Sequence, residues 1–231
     1  MIPITKKTNL PLILTKASKN HINYDDLEKT DIQESLLEEQ GALCAYCMCR
    51  IDKDNMKIEH WNPQSIAPNL SLDYQNMLGV CKGGEGNSKK FQHCDTKKGN
   101  ITISYNPADK DHIMKLKIKY DKDGSIYSED DKFKNELNDV LNLNLPWLKE
   151  NRKSALIGYQ RAFNQKYERH VNDRATLERE ISKLCSVNKE GKKEPYHGII
   201  LYFLNKKLKS AKLWVENLNA AIALHKNYKK K

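Results

Sequence analysis

The stretch that decides the fold begins at Cys44 and ends at Gly99. It contains the motifs CAYC at 44–47, KIEHWNPQS at 57–65, LDYQNMLGVC at 72–81 and HCDTKKG at 93–99. Cys44 and Cys47 form a C-x-x-C pair, the spacing with which one tight turn presents two thiolates to a zinc ion. Cys81 and Cys94 can complete a tetrahedral set. The sequence therefore predicts a closed, structural zinc site made of four thiolates.

The chain has six cysteines, and two of them fall outside this predicted set. No secretion signal is recognisable, which favours metal ligation over disulfide formation. Cys49 competes with Cys47 as a ligand, but C-x-x-C is the commoner zinc spacing. Free buried thiols are the alternative to a zinc site, and Cys185 receives no role.

Between the two cysteine pairs, Glu59 stands beside His60 and is followed by Pro63. Phosphodiester hydrolysis needs a base that takes a proton from water and a cation that stabilises charge on the phosphate. The ordinary pKa of histidine suits His60 to the role of base, and Glu59 can hold a hard cation. Neighbouring residues on a strand point to opposite faces, so the two meet at one site only if the strand bends. The alternative is a surface glutamate beside a half-buried histidine.

Two more residues complete the predicted site. Asp95, at the start of a predicted helix, is a second ligand for Mg²⁺ or Mn²⁺, or alternatively a plain helix cap. The amide of Asn76 is expected to bond across the loop and hold the backbone of His60. A metal-dependent nuclease of the HNH (ββα-metal) type needs this order: a strand with base and ligand, an asparagine that holds the loop, and a helix with the other ligand.

Several residues near this site have weaker signals. Lys97 and Lys98 are predicted to contact substrate phosphates, with solvated lysines as the alternative. His93 is expected to lie behind a zinc ligand or to touch substrate, and a direct ligand role stays open. Residues 82–90 are glycine-rich and basic but lack the spacing of a Walker A phosphate loop. We therefore expect a flexible insertion there.

The composition predicts a soluble, cytoplasmic protein without membrane association. Mean hydropathy is −0.78, and 30% of the 231 residues are charged. No apolar run approaches the roughly 18 to 20 residues of a membrane span. The first 20 residues lack the small-residue cleavage site of a signal peptide.

The net charge of +10 is unevenly distributed. Residues 1–145 hold 20 Lys/Arg and 22 Asp/Glu, a net −2, whereas residues 146–231 hold 20 Lys/Arg and 8 Asp/Glu, a net +12. A basic block of this size attracts polyanions through counterion release. A lysine-rich solvated helical surface is the alternative.

The predicted fold class is α+β, with a zinc-braced ββα-metal core, a small antiparallel hairpin and a mainly helical C-terminal region. The predicted segments are 1–41, an irregular arm followed by a helix over 24–40; 42–130, the nuclease core; and 131–231, the basic helical region. Asp123-Gly124 marks the turn of the small hairpin, to which the alternating residues Met114, Leu116 and Ile118 lead. Pro146 begins a helix, and a last amphipathic helix runs from Ala211 to Leu224.

The motifs resemble those of a known family. The resemblance rests on the segments EQGALCAYC, IEHWNPQS, LDYQNML, CKGG and HCDTKKGN, and continues through YNPAD, YDKDGSIYS, LNDVLNLN and LKENR. Over roughly residues 34–155 the chain is similar to the PtuB family, the HNH nuclease subunits of Septu and retron anti-phage systems. The C-terminal residues carry no matching motif.

The resemblance implies a phosphodiesterase that cuts DNA, or RNA such as tRNA, beside a PtuA-like ATPase. In retron systems a reverse transcriptase and its single-stranded DNA restrain the pair. The implied roles are those of base for His60, catalytic-metal ligands for Glu59 and Asp95, central asparagine for Asn76, and zinc ligands for Cys44, Cys47, Cys81 and Cys94. Asp95 departs from the His or Asn usual at its position, and the Cys81–Cys94 spacing is longer than common.

Two readings compete with a nuclease. One is a non-catalytic zinc module that binds nucleic acid or the ATPase through its basic helices. The other is a mainly protein-binding subunit whose C-terminal third docks on the ATPase, and this reading is compatible with nuclease activity. Binding that survives replacement of Glu59, His60 and Asp95 would favour the first.

Overall fold

Two helices lead into the cysteine-containing stretch. The computed structural model of the protein describes residues 1–113 and 115–211. Helix α1 covers Leu12–Asn20 and helix α2 covers Thr30–Gln40. The expectation of an irregular arm was wrong for α1, which starts directly after Pro11. Helix α2 begins later than predicted because residues 24–26 form a separate 3₁₀ turn, and it ends at Gly41 in the left-handed region, with φ 63°.

The decisive stretch folds as a two-stranded antiparallel hairpin followed by a short helix. Strand β1 covers Met56–His60 and strand β2 covers Met77–Cys81. Their register pairs Met56 with Cys81 and His60 with Met77. Helix α3, Cys94–Lys98, contacts β2. The hairpin brings the ends of the four sequence motifs to one side of the molecule.

A second hairpin follows, as the turn signal predicted. After the short helix α4, Lys110–Ile113, strand β3 (Ile118–Tyr120) pairs with strand β4 (Ile126–Ser128). Gly124 is in the turn with φ 89°, and a Cβ there would lie 2.0 Å from the carbonyl oxygen of Lys149. Glycine is therefore required at this position. The predicted Met114 lies outside the described residues.

The rest of the described chain is helical. Helix α5, Asp131–Asn135, continues into a π-helical turn, Glu136–Val140. Helix α6 covers Pro146–Tyr167, with proline in its first turn as predicted, and α7 covers Arg174–Cys185. Helix α8 runs over 197–211. The predicted last helix lies outside the described residues beyond Ala211.

Both hairpins and most of the helices contribute to one hydrophobic core. Fully buried members come from α2, the cysteine segment, β2, α5 and α8, among them Leu36, Tyr46, Leu78, Phe133 and Ile199. The helical C-terminal part therefore packs against the same core as the hairpin. Among the described residues, no helix combines the length and apolar character needed to cross a membrane.

Candidate metal centre and active site

The four cysteines predicted from the sequence lie together and are buried. The sulfurs of Cys44, Cys47, Cys81 and Cys94 all lie within 4.8 Å of one another. The Cys44–Cys94 sulfur distance is 3.8 Å and the Cys47–Cys81 distance is 3.7 Å. A tetrahedral zinc site with bonds of about 2.3 Å has sulfur–sulfur edges of about 3.8 Å. The cluster therefore has the dimensions that zinc needs.

Three different elements deliver these thiols. Cys44 and Cys47 are in a turn in which the N–H of Cys44 donates to the carbonyl oxygen of Cys49 and the N–H of Met48 donates to that of Cys44. Cys81 ends β2 and Cys94 begins α3. Cys49, whose carbonyl oxygen accepts from Cys44, is not one of the four mutually close thiols.

Like groups at this distance affect one another's ionisation. Hydrogen bonds from the neighbouring thiols, Cys44 first, hold the pKa of Cys47 well below its usual value. Burial raises the pKa of Cys94 well above it. Four thiols in contact cannot all ionise unless a cation lies among them. A bound zinc ion would supply that charge.

Two further side chains face the cluster. His93 Nδ1 lies 3.2 Å from the sulfur of Cys94 and 4.0 Å from that of Cys81, close to the position behind a ligand that the sequence predicted. Arg152, buried on α6, donates to the carbonyl oxygens of Gly124 and Leu143 at 2.6 and 2.7 Å. Its charge interacts with those of Cys47 and Cys94. Arg152 is the last residue of the LKENR segment, to which the sequence assigned no role.

The two predicted carboxylate ligands lie near each other. Glu59 on β1 and Asp95 on α3 are close enough for each carboxyl group to shift the pKa of the other. Each also has a lysine partner: Lys98 Nζ lies 2.7 Å from Glu59, and Lys57 Nζ lies 2.9 Å from Asp95. The structure therefore places a pair of acids and a pair of ammonium groups at the junction of β1 and α3.

The pKa values of the two acids are shifted in opposite directions. Burial raises the pKa of Glu59 well above its usual value, and the neighbouring Asp95 raises it further. Burial opposes ionisation of Asp95, but hydrogen bonds with Glu59 and Lys57 hold its pKa below the usual value. Neighbouring carboxyl groups behave this way because ionisation of one disfavours ionisation of the other.

This pair fits a hard divalent cation. Mg²⁺ commonly binds proteins through one or two carboxylates and keeps several waters. Among the described residues, only the cysteine cluster brings three or more metal-binding side chains this close together. The acidic site is therefore a two-carboxylate site, in which a cation would compete with Lys57 and Lys98.

Tyr46 links the two sites and had no role among the residues predicted from the sequence. Tyr46 stands between Cys44 and Cys47 in the CAYC motif and is fully buried. Its hydroxyl donates to Glu59 Oε1 at 3.1 Å. The turn that presents two thiols therefore also holds a carboxylate, and the position of this tyrosine within the motif was the available signal.

His60 is buried beside Glu59 but has its own contacts. Its Nε2 lies 2.9 Å from the carbonyl oxygen of Ser71, and its Nδ1 lies 3.4 Å from Gln64 Nε2. The edge of the Tyr24 ring packs against it. A carbonyl only accepts, so the proton is on Nε2 and Nδ1 keeps its lone pair. Burial lowers the pKa of His60, which favours this neutral form.

Asn76 holds the loop that follows β1. Its Oδ1 accepts from the N–H of Asn62 at 2.8 Å, and its Nδ2 donates to the carbonyl oxygen of Asn62 at 3.0 Å. Its own backbone carbonyl accepts from the N–H of Trp61. The amide thus bonds across the loop, two residues beyond His60.

The two lysines predicted to meet phosphates differ in position. Lys97 is half-buried, and its Nζ donates to the carbonyl oxygen of Lys89 at 3.3 Å. The side chain of Lys98 is completely buried and paired with Glu59. The position of Lys98 does not fit a direct phosphate contact, because its ammonium group lies inside the protein.

Three curated relatives match the chain. It is 40% identical over 75 residues to the Septu protein PtuB of Bacillus thuringiensis, which covers 32% of the chain and 28% of that protein. Over 97 residues it is 29% identical to a protein named as an HNH endonuclease of retron Ec83 from Escherichia coli. This match covers 37% of the chain and 38% of that protein. Over 137 residues it is 29% identical to a protein named as an HNH endonuclease of retron Vc95 from Vibrio cholerae serotype O1 biovar El Tor. This match covers 55% of the chain and 64% of that protein.

The similarity to PtuB-like HNH proteins is confirmed. Each match spans less than two thirds of the relative's own length. No protein-family model matches the chain. Two of the three names include an HNH endonuclease, and the third is a Septu protein. The thiol cluster and the acidic pair lie within the stretch whose motifs carry the resemblance.

Proposed function

We propose that this protein is a metal-dependent HNH endonuclease that hydrolyses phosphodiester bonds in nucleic acid. The proximity of Glu59 and Asp95 carries the proposal, because it brings together acids from β1 and α3, and His60 follows Glu59 on β1. Hairpin, helix and acids together make a ββα-metal core the best interpretation. A divalent cation such as Mg²⁺ or Mn²⁺ held by the acids would stabilise negative charge on the phosphate.

In this proposal His60 is the general base. Its Nε2 is bonded to the carbonyl of Ser71, so Nδ1 is the atom that takes the proton from the attacking water. The water attacks phosphorus in line with the leaving oxygen and produces a 5′-phosphate and a 3′-hydroxyl. Asn76 has a positioning role, since its amide holds the backbone just after His60.

The thiol cluster has a separate role. We propose that Cys44, Cys47, Cys81 and Cys94 hold a structural zinc ion, because the measured sulfur distances match a tetrahedron and all four positions are taken by protein. Such a closed site stabilises the turn, β2 and α3. It does not itself bind substrate.

The biological setting is also proposed. The relatives are named as Septu and retron proteins. We infer that the chain is an effector of anti-phage defence with a PtuA-like ATPase as partner, and in a retron setting also a reverse transcriptase with its single-stranded DNA. Its substrate is DNA or RNA such as tRNA.

A non-catalytic zinc protein that binds nucleic acid or the ATPase is the second candidate. It is favoured by one observation, that Lys57 and Lys98 already neutralise both carboxylates. In such a protein the four charges would stabilise the fold, and the basic helices would bind the partner.

The two candidates differ in a cleavage assay. Purified protein, alone and with a PtuA-like ATPase, is incubated with Mg²⁺ or Mn²⁺ and plasmid, oligonucleotides or tRNA. His60→Ala and Asp95→Asn should each reduce cleavage by a factor of about 10² or more while zinc content stays unchanged. His21→Ala, which changes an exposed histidine, is the matched control. Cleavage that persists in His60→Ala would exclude the proposed mechanism.

A further inference from the structure

Residues 82–92, here called the glycine loop, are held in a defined conformation. Asn142 Nδ2 donates to the carbonyl oxygens of Lys90 and Gln92, at 3.2 and 2.8 Å. The N–H of His93 donates to the carbonyl oxygen of Gly83. Gly83 has φ 58°, and a Cβ there would lie 2.1 Å from the His93 carbonyl oxygen. The expected flexible insertion is therefore bonded closely to the protein.

The glycine loop presents an aromatic ring to solvent beside another. Phe91 is 45% exposed and Trp147, in the first turn of α6, is 39% exposed. Their ring centroids are 6.0 Å apart, and Trp147 also packs edge-on against His93 at 6.3 Å. Two adjacent exposed rings form an apolar surface, and covering it with a bound molecule would be favourable.

Lysines lie beside the Phe91 ring. Lys90 Nζ lies 4.8 Å from the centroid of the Phe91 ring. Lys89 is exposed next to it, and Lys97 of α3 donates to the Lys89 carbonyl oxygen. Glu85 is the acidic residue of the glycine loop, and it is paired with Lys57 at 3.6 Å. Aromatic faces interleaved with lysines are the combination that binds stacked bases and their phosphates.

Lys57 connects the glycine loop to the acidic pair. Lys57 contacts Glu85 of the glycine loop and also Asp95, at 2.9 Å. Thr96, next to Asp95 in α3, donates from its hydroxyl to the carbonyl oxygen of Lys82. Phe91 and Asp95 are therefore only four residues apart, and Lys57 and Thr96 tie the glycine loop to the segment that carries the acid.

We propose that Phe91 and Trp147 stack the bases of a single-stranded nucleic acid whose backbone passes Lys89, Lys90 and Lys97 to the acidic pair. The substrate class would be unpaired DNA or RNA, because stacking on an exposed ring requires a base with a free face. The role of this surface in substrate binding rests on the proposed nuclease function. Its binding of nucleic acid can nevertheless be measured without any cleavage.

Binding of a labelled single-stranded oligonucleotide and of its duplex is measured by fluorescence anisotropy. The full chain carries His60→Ala, and neither Mg²⁺ nor Mn²⁺ is added. Trp147→Leu and Phe91→Leu should each weaken single-strand binding about tenfold, whereas Trp147→Phe should weaken it less than threefold. Lys90→Ala should weaken binding and reduce its salt dependence. Duplex should bind at least tenfold more weakly than the single strand.

Matched controls are Ile157→Leu, an exposed apolar residue of α6, and Lys189→Ala, an exposed lysine elsewhere. Neither should change binding. Unchanged binding in both leucine variants would overturn the proposal. If the leucine variants lost binding to an ATPase partner but bound the oligonucleotide normally, the proposal would also be overturned. The surface would then be a protein-docking site.

The outcome is separable from that of the cleavage test. A protein that shows no nuclease activity but binds single strands through Trp147 supports this surface and refutes the nuclease alone. A nuclease that needs His60 but binds equally without either ring refutes the surface alone.

Discussion

The thiol cluster and the acidic pair occupy the same hairpin and helix but differ in how their charges are balanced. The four sulfurs contact one another and His93, with the positive charge of Arg152 nearby. The acids instead each have an ammonium group within 3 Å, from Lys57 and Lys98. The cluster therefore needs an external cation to bring four ligands together, whereas the pair has cations of its own with which a metal must compete.

Neighbouring residues serve the two sites. Cys94 contributes a sulfur to the cluster and Asp95 a carboxylate to the pair. Cys94 has φ 54°, a conformation that residues other than glycine adopt rarely. Backbone strain of this kind persists where surrounding contacts hold it. Four experiments test whether the sites are as different as their surroundings indicate, beginning with the largest expected effect.

Removing a thiol should destroy the cluster. Cys94→Ser should abolish stoichiometric zinc binding and strongly lower the thermal unfolding temperature, because a structural zinc site contributes on the order of 10 kcal/mol in small zinc proteins. Zinc content by mass spectrometry and unfolding by circular dichroism are the measurements. Cys185→Ser, at an exposed cysteine, should change neither. One zinc ion per chain in Cys94→Ser would contradict the four-thiolate assignment.

Removing a buried ammonium should destabilise the acidic pair without releasing zinc. Lys98→Met leaves Glu59 without its partner, and breaking a buried ion pair costs about 3–5 kcal/mol. Urea unfolding measures the change. The double variant Lys98→Met/Glu59→Gln should recover most of it, since no charge is then left unpaired. Lys89→Met, at an exposed lysine, is the control. If the single and double variants lost the same free energy of unfolding, the interaction between Lys98 and Glu59 would not contribute to stability.

The attachment of α8 to the cysteine turn should depend on pH. His197 is fully buried, and its Nε2 has no hydrogen-bond partner among residues 1–113 and 115–211. The preceding residue, Tyr196, donates its N–H to the Met48 carbonyl oxygen. Burial lowers the pKa of His197 from 6.5 to about 4, helped by the charge of Lys193. Its protonation therefore favours the unfolded state.

As pH falls from 6.5 to 4, protonation of His197 should lower the free energy of unfolding by about 3 kcal/mol. Above pH 6.5 this histidine should not change the free energy of unfolding. Urea titrations at several pH values, compared with His197→Phe, measure the difference in slope. His21→Phe, at an exposed histidine, should keep the original slope. Identical slopes in the original protein and His197→Phe would refute the buried neutral histidine.

The smallest effect is expected where the two sites touch. Tyr46→Phe removes the hydroxyl that donates to Glu59, at a cost of about 1–2 kcal/mol in unfolding free energy. Zinc content should stay at one ion per chain, while Mn²⁺ binding measured by calorimetry should change. Tyr127→Phe, whose hydroxyl makes only a 3.5 Å contact at the surface, is the control. No change in Mn²⁺ binding would show that the sites are independent.

Several local features were predictable because they depend on a few neighbouring residues. Gly124 ends up in a turn that excludes any Cβ, Pro146 begins α6, and Gly41 ends α2. Helix α1 was missed, since Pro11 looked like a break in the pattern although it stands just before the first turn.

Partners of buried polar groups were not predictable. Lys98 looked like a surface lysine, and only packing shows that its ammonium pairs with Glu59. Arg152 lies more than fifty residues after Cys94 and approaches the thiols because α6 packs on the second hairpin. Phe91 and Trp147 are far apart in sequence, and no periodicity links them.

The sequence by itself determined which side chains are available to bind metal, because cysteine spacing and the Glu59-His60 pair are properties of short segments. Tertiary structure decided which of them meet and which charges balance them, because only folding removes water from Glu59, Lys98 and Arg152. Once water is excluded, each buried charge needs a partner. That requirement, which spacing does not reveal, sets the character of both sites.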